Sequence, residues 1–385
     1  MKVEDIRWYS PIMFLVGAIL SFADPITDIL TLVEFYRADH KTWFYVGLFF
    51  VLFPCLMFAL LKLYSFTRNQ LEQYSNCRLV SQIVFCGLHP FSVAFARLEA
   101  FFYFLKKWCC GSEIGNELGD DLLENIDWAV LIESVLESVP QFILQLYAMS
   151  AQEEPVKVIQ IISLPVSLLS LSWAFTNIDQ LLQKEDFNLN LGLKDKLALF
   201  VTHLFLLSSR LFAVFLFTVS YKAWIAAAFL LNAFVIVTAD NIMYCLLASE
   251  ADGEFDECDE CTWDPKKCAG MGLVYWIRDD FFSLDKTKFD LAIRKTAFRR
   301  MQLLCNVLFV LENVVMILLF YFSQQSYTRY TLPVTVCVCS FSFLGSVVRV
   351  TIFRVFLKRE SDVTVKTELT DNSSPADMTY WISTV

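Results

Sequence analysis

The stretch PIMFLVGAILSFADPITDILTLVEFY, residues 11–36, is long enough to cross a membrane and carries Asp24 and Asp28 near its middle. A helix that crosses ~30 Å of hydrocarbon needs about 20 mostly apolar residues. The stretch lacks the small-residue cleavage site of a secretory signal, so we expect it to stay in the chain. We therefore interpret it as a first transmembrane helix with two acidic residues inside the membrane.

The rest of the chain has the same character. Of its 385 residues, 56% are hydrophobic and 19% are charged, and the charged residues cluster between long apolar runs. This composition excludes a disordered chain, and the formal net charge of −10 argues against a nucleic-acid partner. The sequence predicts an all-α integral membrane protein.

Eight apolar runs have the length of a membrane-spanning helix. They cover residues 11–36, 43–66, 79–105, 158–182, 197–219, 223–247, 301–322 and 331–357. Two further segments, 126–147 and 270–284, are too polar or too short to cross, and we predict half-membrane helices there. Such helices are tolerated only where they are buried in protein or line a wet cavity. These elements make residues 1–358 one polytopic membrane domain, followed by a flexible polar tail at 359–385.

Lysine and arginine residues favour one orientation of this domain. With both termini in the cytosol, most of them fall in cytosolic segments, as the positive-inside rule requires. In this arrangement Lys106 and Lys107 lie outside, together with the adjacent pair Cys109-Cys110. A cysteine pair of this kind would favour palmitoylation only on the cytosolic side.

Ionisable side chains inside the predicted spans are unusually numerous. Each costs about 2.5 kcal/mol or more on insertion scales. The acids Asp24/Asp28 and Glu133/Glu137 are spaced i,i+4, so each pair forms a stripe on one helix face. Other intramembrane charges are Arg97, Glu99, Asp179, Arg210, Asp240, Glu312 and Arg349. Two interpretations are open, an ion-pair cluster that fixes helix packing or a hydrated path, and the excess of acids over bases favours the path.

Several of these stretches resemble the XK-related membrane proteins, a family that includes phospholipid scramblases. The matching segments are FADPITDIL (22–30), ESVLESVPQFILQLY (133–147), SLSWAFTNID (170–179), SRLFAVFLF (209–217), LENVVMILL (311–319) and VVRVTIF (347–353). The resemblance implies eight transmembrane helices and two membrane-inserted half helices in two related halves. It also implies a buried polar row made of Asp24, Asp28, Glu133, Glu137, Asp179 and Arg210.

The function implied by this resemblance is an ATP-independent phospholipid scramblase of the plasma membrane that exposes phosphatidylserine. Some family members act after caspases remove a C-terminal segment in apoptosis, and here Asp362 and Asp371 are the candidate cleavage positions. The resemblance further implies a single-span chaperone subunit and a lipid-transfer protein as partners. Two alternatives stay open: a membrane scaffold or partner subunit without scrambling activity, and a cation channel or transporter.

The last residues, Ser383, Thr384 and Val385, fit the C-terminal pattern that PDZ domains capture. Other motifs are absent from the sequence. It contains neither GxxxxGK[ST] nor GxGxxG, and no histidine has a carboxylate or cysteine at motif spacing. We therefore expect no enzyme activity and no cofactor. Cys258, Cys261 and Cys268 lack a fourth zinc ligand nearby, so we predict an acidic loop with free thiols and no metal site.

Overall fold

The computed structural model describes residues 10–68, 91–110, 133–152, 154–187, 191–222, 291–323 and 331–372, with isolated residues between 126 and 130 and between 224 and 242. All regular secondary structure in these ranges is helical. The helices are α1 (Ser10–Arg37), α2 (Lys41–Arg68), α3 (Ser92–Cys110), a π-helical turn (Ser134–Ser138) followed by α4 (Val139–Ala151), α5 (Val158–Phe187), α6 (Leu193–Tyr221), α7 (Leu291–Ser323) and α8 (Thr331–Asn372).

Five of the described helices are long and apolar enough to cross a membrane. Their apolar parts are Pro11–Arg37, Val158–Gln180, Leu193–Tyr221, Lys295–Ser323 and Leu332–Phe356. Large apolar side chains such as Ile19 and Phe322 are exposed on them, as expected for surfaces that contact lipid. The chain is therefore a multi-pass membrane protein. The predicted half helix at 270–284 lies outside the described residues, and only isolated helical residues represent the predicted span 223–247.

A tight turn joins α1 to α2. Asp39 adopts a left-handed conformation with φ 61°. The backbone N–H of His40 bonds the carbonyl of Phe35 at 2.9 Å, and that of Asp39 bonds the carbonyl of Tyr36 at 3.2 Å. These two bonds form the Schellman motif that ends many helices. The motif reverses the chain within three residues, so α2 packs back against α1 through Phe35 and Trp43.

The direction of α3 differs from the prediction. The Phe22 ring of α1 contacts Phe95, whereas Phe14, nearer the start of α1, contacts Phe104. The two helices are therefore antiparallel, and α3 begins at the level of the middle of α1. A continuous span over 79–105 would have run parallel to α1. The first part of the predicted span, residues 79–90, lies outside the described residues, and α3 begins at Ser92.

The helix in the segment predicted as a half helix, 126–147, continues past the predicted end to Ala151. The π-helical turn and α4 together cover Ser134–Ala151, which is about 27 Å of helix. In the π-helical turn the N–H of Val139 bonds the carbonyl of Ser134. Pro140 has no N–H to donate, and the wider turn is one way for the backbone to adjust around it. The turn keeps Glu133 and Glu137 buried on the protein side.

The helices described so far, α1 to α5, form a first group, and α6, α7 and α8 form a second group. Arg210 and Ser220 of α6 contact Glu312 and Ser323 of α7 in the same order along both helices, so these helices are parallel. Helix α8 runs in the opposite direction, because Phe353 packs on Phe298 while Ser342 bonds Asn313. The apolar core between the two groups includes Phe142, Phe175 and Leu211.

Helix α8 is longer than the sequence predicted. The expected span ends at Leu357, followed by a flexible tail, but the helix continues to Asn372. Neither glycine nor proline occurs between Gly345 and Pro375, so no strong helix breaker interrupts the polar extension. The remaining tail, 373–385, lies outside the described residues and includes the predicted PDZ ligand Ser383, Thr384 and Val385.

Candidate polar path through the helix bundle

Asp24 and Asp28 are both buried and are bound by neutral donors from α4 and α5. Asp24 accepts hydrogen bonds from Ser138 Oγ at 2.9 Å and from Ser167 Oγ at 2.5 Å. Asp28 accepts hydrogen bonds from Gln145 Nε2 at 2.8 Å and from Ser163 Oγ at 3.2 Å. These bonds place the middle of α1 between α4, which is parallel to it, and α5, which is antiparallel. The two aspartates therefore join three helices of the bundle.

Glu133 and Glu137 lie in the same buried region. Glu137 is close enough to Asp24 to interact with it electrostatically, and Glu133 is within electrostatic range of Glu137, Asp24 and Arg97. Arg97 of α3 also donates hydrogen bonds to the carbonyl of Gly17 at 2.8 Å and to Ser21 Oγ at 2.6 Å. We call Asp24, Asp28, Glu133 and Glu137 the acidic cluster.

Sequence analysis missed two glutamines in this region. Gln141 and Gln145 continue the stripe of Glu133 and Glu137 at intervals of four residues, so all four share one helix face. Both glutamines are 1% exposed. Gln141 Nε2 donates to the carbonyl of Gly47 at 2.6 Å, which links α4 to α2. The four-residue period is visible in the sequence, but a neutral glutamine does not stand out in an apolar helix as a charged residue does.

Asp179 pairs with a histidine that the sequence did not indicate. His203 Nε2 lies 2.5 Å from Asp179 Oδ2, and both side chains are buried between α5 and α6. The two residues are 24 positions apart, so no motif spacing could have shown the contact. Within the implied polar row, Asp179 lies in the second half of α5, toward the short connection that leads to α6.

Arg210 is completely buried and is held by α7. Its guanidinium donates to Glu312 Oε2 at 2.6 Å and to Asn313 Oδ1 at 2.9 Å. Asn232 Nδ2 donates to the other oxygen of Glu312 at 2.6 Å. Asn313 in turn donates to Ser342 Oγ of α8 at 2.9 Å. We call these five residues the arginine cluster.

The arginine cluster lies beside α4. The rings of Phe142 on α4 and Phe212 on α6 are 6.3 Å apart, and Phe212 is only two residues from Arg210. Helices α4 and α6 therefore meet close to this arginine. The sequence assigned Glu312 a secondary role among the intramembrane charges, whereas the structure makes it a direct partner of Arg210.

The other predicted charges have different surroundings. Arg349 is buried, with its guanidinium carbon 5.9 Å from the centre of the Phe353 ring. Glu99 is exposed, and it has no hydrogen-bond or ion-pair partner among the residues that the structure describes. Asp362 and Asp371 lie in the helical extension of α8. Asp240, Cys258, Cys261 and Cys268 fall outside the described residues.

A cavity of about 230 Å³ lies where α1 ends and α5 begins. Its lining includes Glu34, His40, Glu154 and Gln160. His40 Nε2 lies 2.9 Å from Glu154 Oε2, and this hydrogen bond lowers the pKa of Glu154. Gln160 is buried and exchanges hydrogen bonds with Gln152. The cavity therefore continues the line of polar groups beyond Asp28, toward the end of α1.

No group of three or more histidine, cysteine, aspartate or glutamate side chains suited to a metal ion occurs within the described ranges. The hydrogen-bond partners of the acidic cluster are serine hydroxyls and glutamine amides of neighbouring helices.

Long apolar helices packed around buried carboxylates define a multi-pass α-helical membrane protein with a polar interior. A family model described as XK-related protein matches residues 12–358, nearly the whole chain. The chain belongs to the XK-related family. The resemblance noted in the sequence is thereby confirmed at the level of the family.

Proposed function

We propose that this protein is an ATP-independent phospholipid scramblase of the plasma membrane, and that the buried polar groups along α1 are its headgroup path. The proposal rests on the distance along α1 over which these polar groups continue. Polar contacts follow α1 from Gly17, which bonds Arg97, through Asp24 and Asp28 to the cavity beside Glu34. Seventeen helical residues cover about 25 Å, close to the ~30 Å thickness of the hydrocarbon core.

The physical basis of such a path is the cost of moving a headgroup through hydrocarbon. A phosphate or ammonium group that leaves water without new partners pays a large desolvation penalty. Carboxylates spaced along α1 offer partners to an ammonium group, and hydroxyls and amide N–H groups offer partners to a phosphate, while the acyl tails stay in lipid. The path only lowers a barrier between the two leaflets, so it requires no energy source.

The direction of α3 supports the orientation with both termini in the cytosol. Because α3 is antiparallel to α1, its last residues lie on the side where α1 begins. Lys106 and Lys107, which the sequence analysis assigned to the outside, then lie on the cytosolic side. This change increases the excess of basic residues there, in agreement with the positive-inside rule. It also assigns the cysteine pair Cys109-Cys110 to that side.

Caspase activation belongs to the same proposal. Proteases cleave segments that can open locally, because a bound substrate must leave its helix. Asp362 and Asp371 lie in the helical extension of α8, so cleavage after either residue requires this extension to unfold. We propose that the region after Lys358 restrains scrambling until it is cut. The PDZ protein, the single-span chaperone and the lipid-transfer protein stay predictions about partners.

Reconstitution tests the proposal directly. The purified full chain is placed in liposomes that carry a fluorescent phospholipid in both leaflets, and dithionite is added outside. If lipids cross, bleaching proceeds well beyond half of the fluorescence. Bleaching that stops at half, as in liposomes without protein, would instead favour the membrane scaffold. Passage of the dithionite ion itself, checked with a trapped soluble dye, would indicate a channel.

A further inference from the structure

The acidic cluster is bound by neutral donors at its two aspartates. Ser138 and Ser167 bond Asp24, and Gln145 and Ser163 bond Asp28. Hydroxyl and amide donors stabilise a carboxylate without cancelling its charge. These two aspartates therefore attract a positively charged group that enters the acidic cluster.

Two further oxygens beside the acidic cluster have no hydrogen-bond partner among the described residues. They are Oε1 of Gln141 and Oε1 of Gln145, both on side chains that are 1% exposed. Their orientation follows from what the amides bond. The carbonyl of Gly47 accepts hydrogen bonds and cannot donate them, and a carboxylate behaves in the same way, so the NH₂ group of each glutamine faces its acceptor. The amide oxygens are thus left as acceptors.

A buried acceptor without a donor is rare in folded proteins, and a native example calls for an explanation. Leaving such a group unsatisfied destabilises the folded protein. Here two of them lie on the same helix face as Glu133 and Glu137, one and two turns further along. A ligand that fits this site donates hydrogen bonds to the two amide oxygens and carries a positive charge that the two aspartates attract.

The parts of a phospholipid headgroup differ in this respect. A phosphate offers only acceptor oxygens and negative charge, so carboxylates and amide oxygens repel it. A primary ammonium group has three donors and a positive charge. A trimethylammonium group has the charge but no donor hydrogen. Glycerol has hydroxyl donors but no charge.

Building on the proposed scramblase function, we propose that Asp24 and Asp28 of α1 and Gln141 and Gln145 of α4 form one binding face. This face binds the primary ammonium group of a phospholipid headgroup. The protein then moves phosphatidylethanolamine and phosphatidylserine faster than phosphatidylcholine. Lipids whose headgroups carry no cation cross most slowly.

The test compares acyl-labelled fluorescent phosphatidylethanolamine, phosphatidylcholine and phosphatidylglycerol in liposomes of one bulk composition. A label on the acyl chain leaves each headgroup native. With the full chain reconstituted, we expect phosphatidylethanolamine to cross at least ~10 times faster than phosphatidylglycerol, as expected for a preference of about 1.4 kcal/mol. Equal rates for the three lipids would overturn the proposal. If no lipid crosses faster than in protein-free liposomes, the proposed function fails as well, so the two failures differ.

A second arm separates lipid ammonium from free cations. The same three rates are measured in a sodium salt and in an osmotically matched sugar solution. Sodium that slows all three lipids equally, without any difference between headgroups, would mean that the face binds a free ion and would overturn the proposal.

Single substitutions test which side chains cause the preference for phosphatidylethanolamine. Gln141→Leu removes one unpartnered oxygen together with the hydrogen bond to the Gly47 carbonyl. It leaves in place the hydrogen bonds that Ser138, Ser167, Gln145 and Ser163 donate to Asp24 and Asp28. We expect it to reduce the preference for phosphatidylethanolamine over phosphatidylglycerol at least threefold. The matched control is Gln183→Leu, which removes a similarly buried unpartnered glutamine oxygen on α5. An unchanged preference in folded Gln141→Leu, or an equal loss in the control, would contradict the assignment.

Discussion

Ser167 of α5 donates a hydrogen bond of 2.5 Å to the carboxylate of Asp24 on α1, and both side chains are buried. The two residues are 143 positions apart in the chain, so the contact joins helices that are distant in sequence. Hydrogen bonds to charged groups contribute about 1.5–3 kcal/mol. We therefore expect this bond to stabilise the fold and to hold Asp24 in the acidic cluster.

We predict that Ser167→Ala lowers the free energy of unfolding by about 1–3 kcal/mol, because it leaves a buried carboxylate oxygen with one donor fewer. Thermal unfolding of purified protein in detergent measures the effect. Ser208→Ala is the matched control, since among the described residues the Ser208 hydroxyl bonds the carbonyl of Leu204 within its own helix. Equal effects of the two substitutions would show that the Asp24 contact has no special importance.

Removal of the Arg210 guanidinium is predicted to cost more. Arg210→Ala leaves Glu312 with its Asn232 donor but without a cation, and it leaves Asn313 Oδ1 without the arginine donor. Breaking a fully buried ion pair costs about 3–5 kcal/mol, and the partial exposure of Glu312 makes this an upper value here. The yield of monodisperse protein on gel filtration should fall sharply. Adding Glu312→Gln to this variant should recover part of the yield, because it removes the unpaired charge. No recovery in the double variant would mean that Arg210 acts through other contacts.

The pair of Asp179 and His203 gives a third prediction. His203→Phe keeps an aromatic ring of similar shape near Phe175 but removes the nitrogen that faces Asp179. Because Asp179 is 1% exposed, we expect a loss of about 1–3 kcal/mol in unfolding free energy. Asp179→Asn combined with His203→Phe should be less harmful than the sum of the two single changes. Additive effects would argue against direct coupling.

The helical extension of α8 leads to a prediction about regulation. One variant ends after Lys358, and a second ends after Asn372, where the described helix stops. If the extension itself restrains the protein, only the shorter variant scrambles faster than the full chain in matched liposomes. Faster scrambling by both variants would assign the restraint to residues 373–385. Unchanged rates in both would remove the tail from the regulatory proposal.

The sequence indicated the spanning helices and the acidic stripes because both depend on local spacing. Apolar runs such as 197–219 correspond to a described helix, and the i,i+4 spacing of Asp24 and Asp28 places both inward. Helix direction was harder to predict. The apolar run does not show whether the helix that begins at Ser92 runs with or against α1, and only its contacts with α1 show this.

Pairing between helices could not be predicted from spacing. Periodicity shows which face of a helix a residue occupies, but not which helix packs against that face. His203 and Asn313 are polar residues in apolar helices, with nothing local to mark them as partners of Asp179 and Arg210. The extension of α8 was missed for a related reason, because a polar composition suggested disorder where no helix breaker occurs.

The central claim, that lipids cross along the acidic cluster, is tested most directly by two matched substitutions in the dithionite assay. Asp28→Asn removes one buried charge of the row, whereas Glu99→Gln removes an exposed charge of α3 that has no partner among the described residues. Both substitutions keep side-chain size, and both proteins are first shown to be monodisperse. We predict at least ~10-fold slower scrambling for Asp28→Asn, as for a barrier raised by about 1.4 kcal/mol, and an unchanged rate for Glu99→Gln. Unchanged scrambling in folded Asp28→Asn would contradict the account.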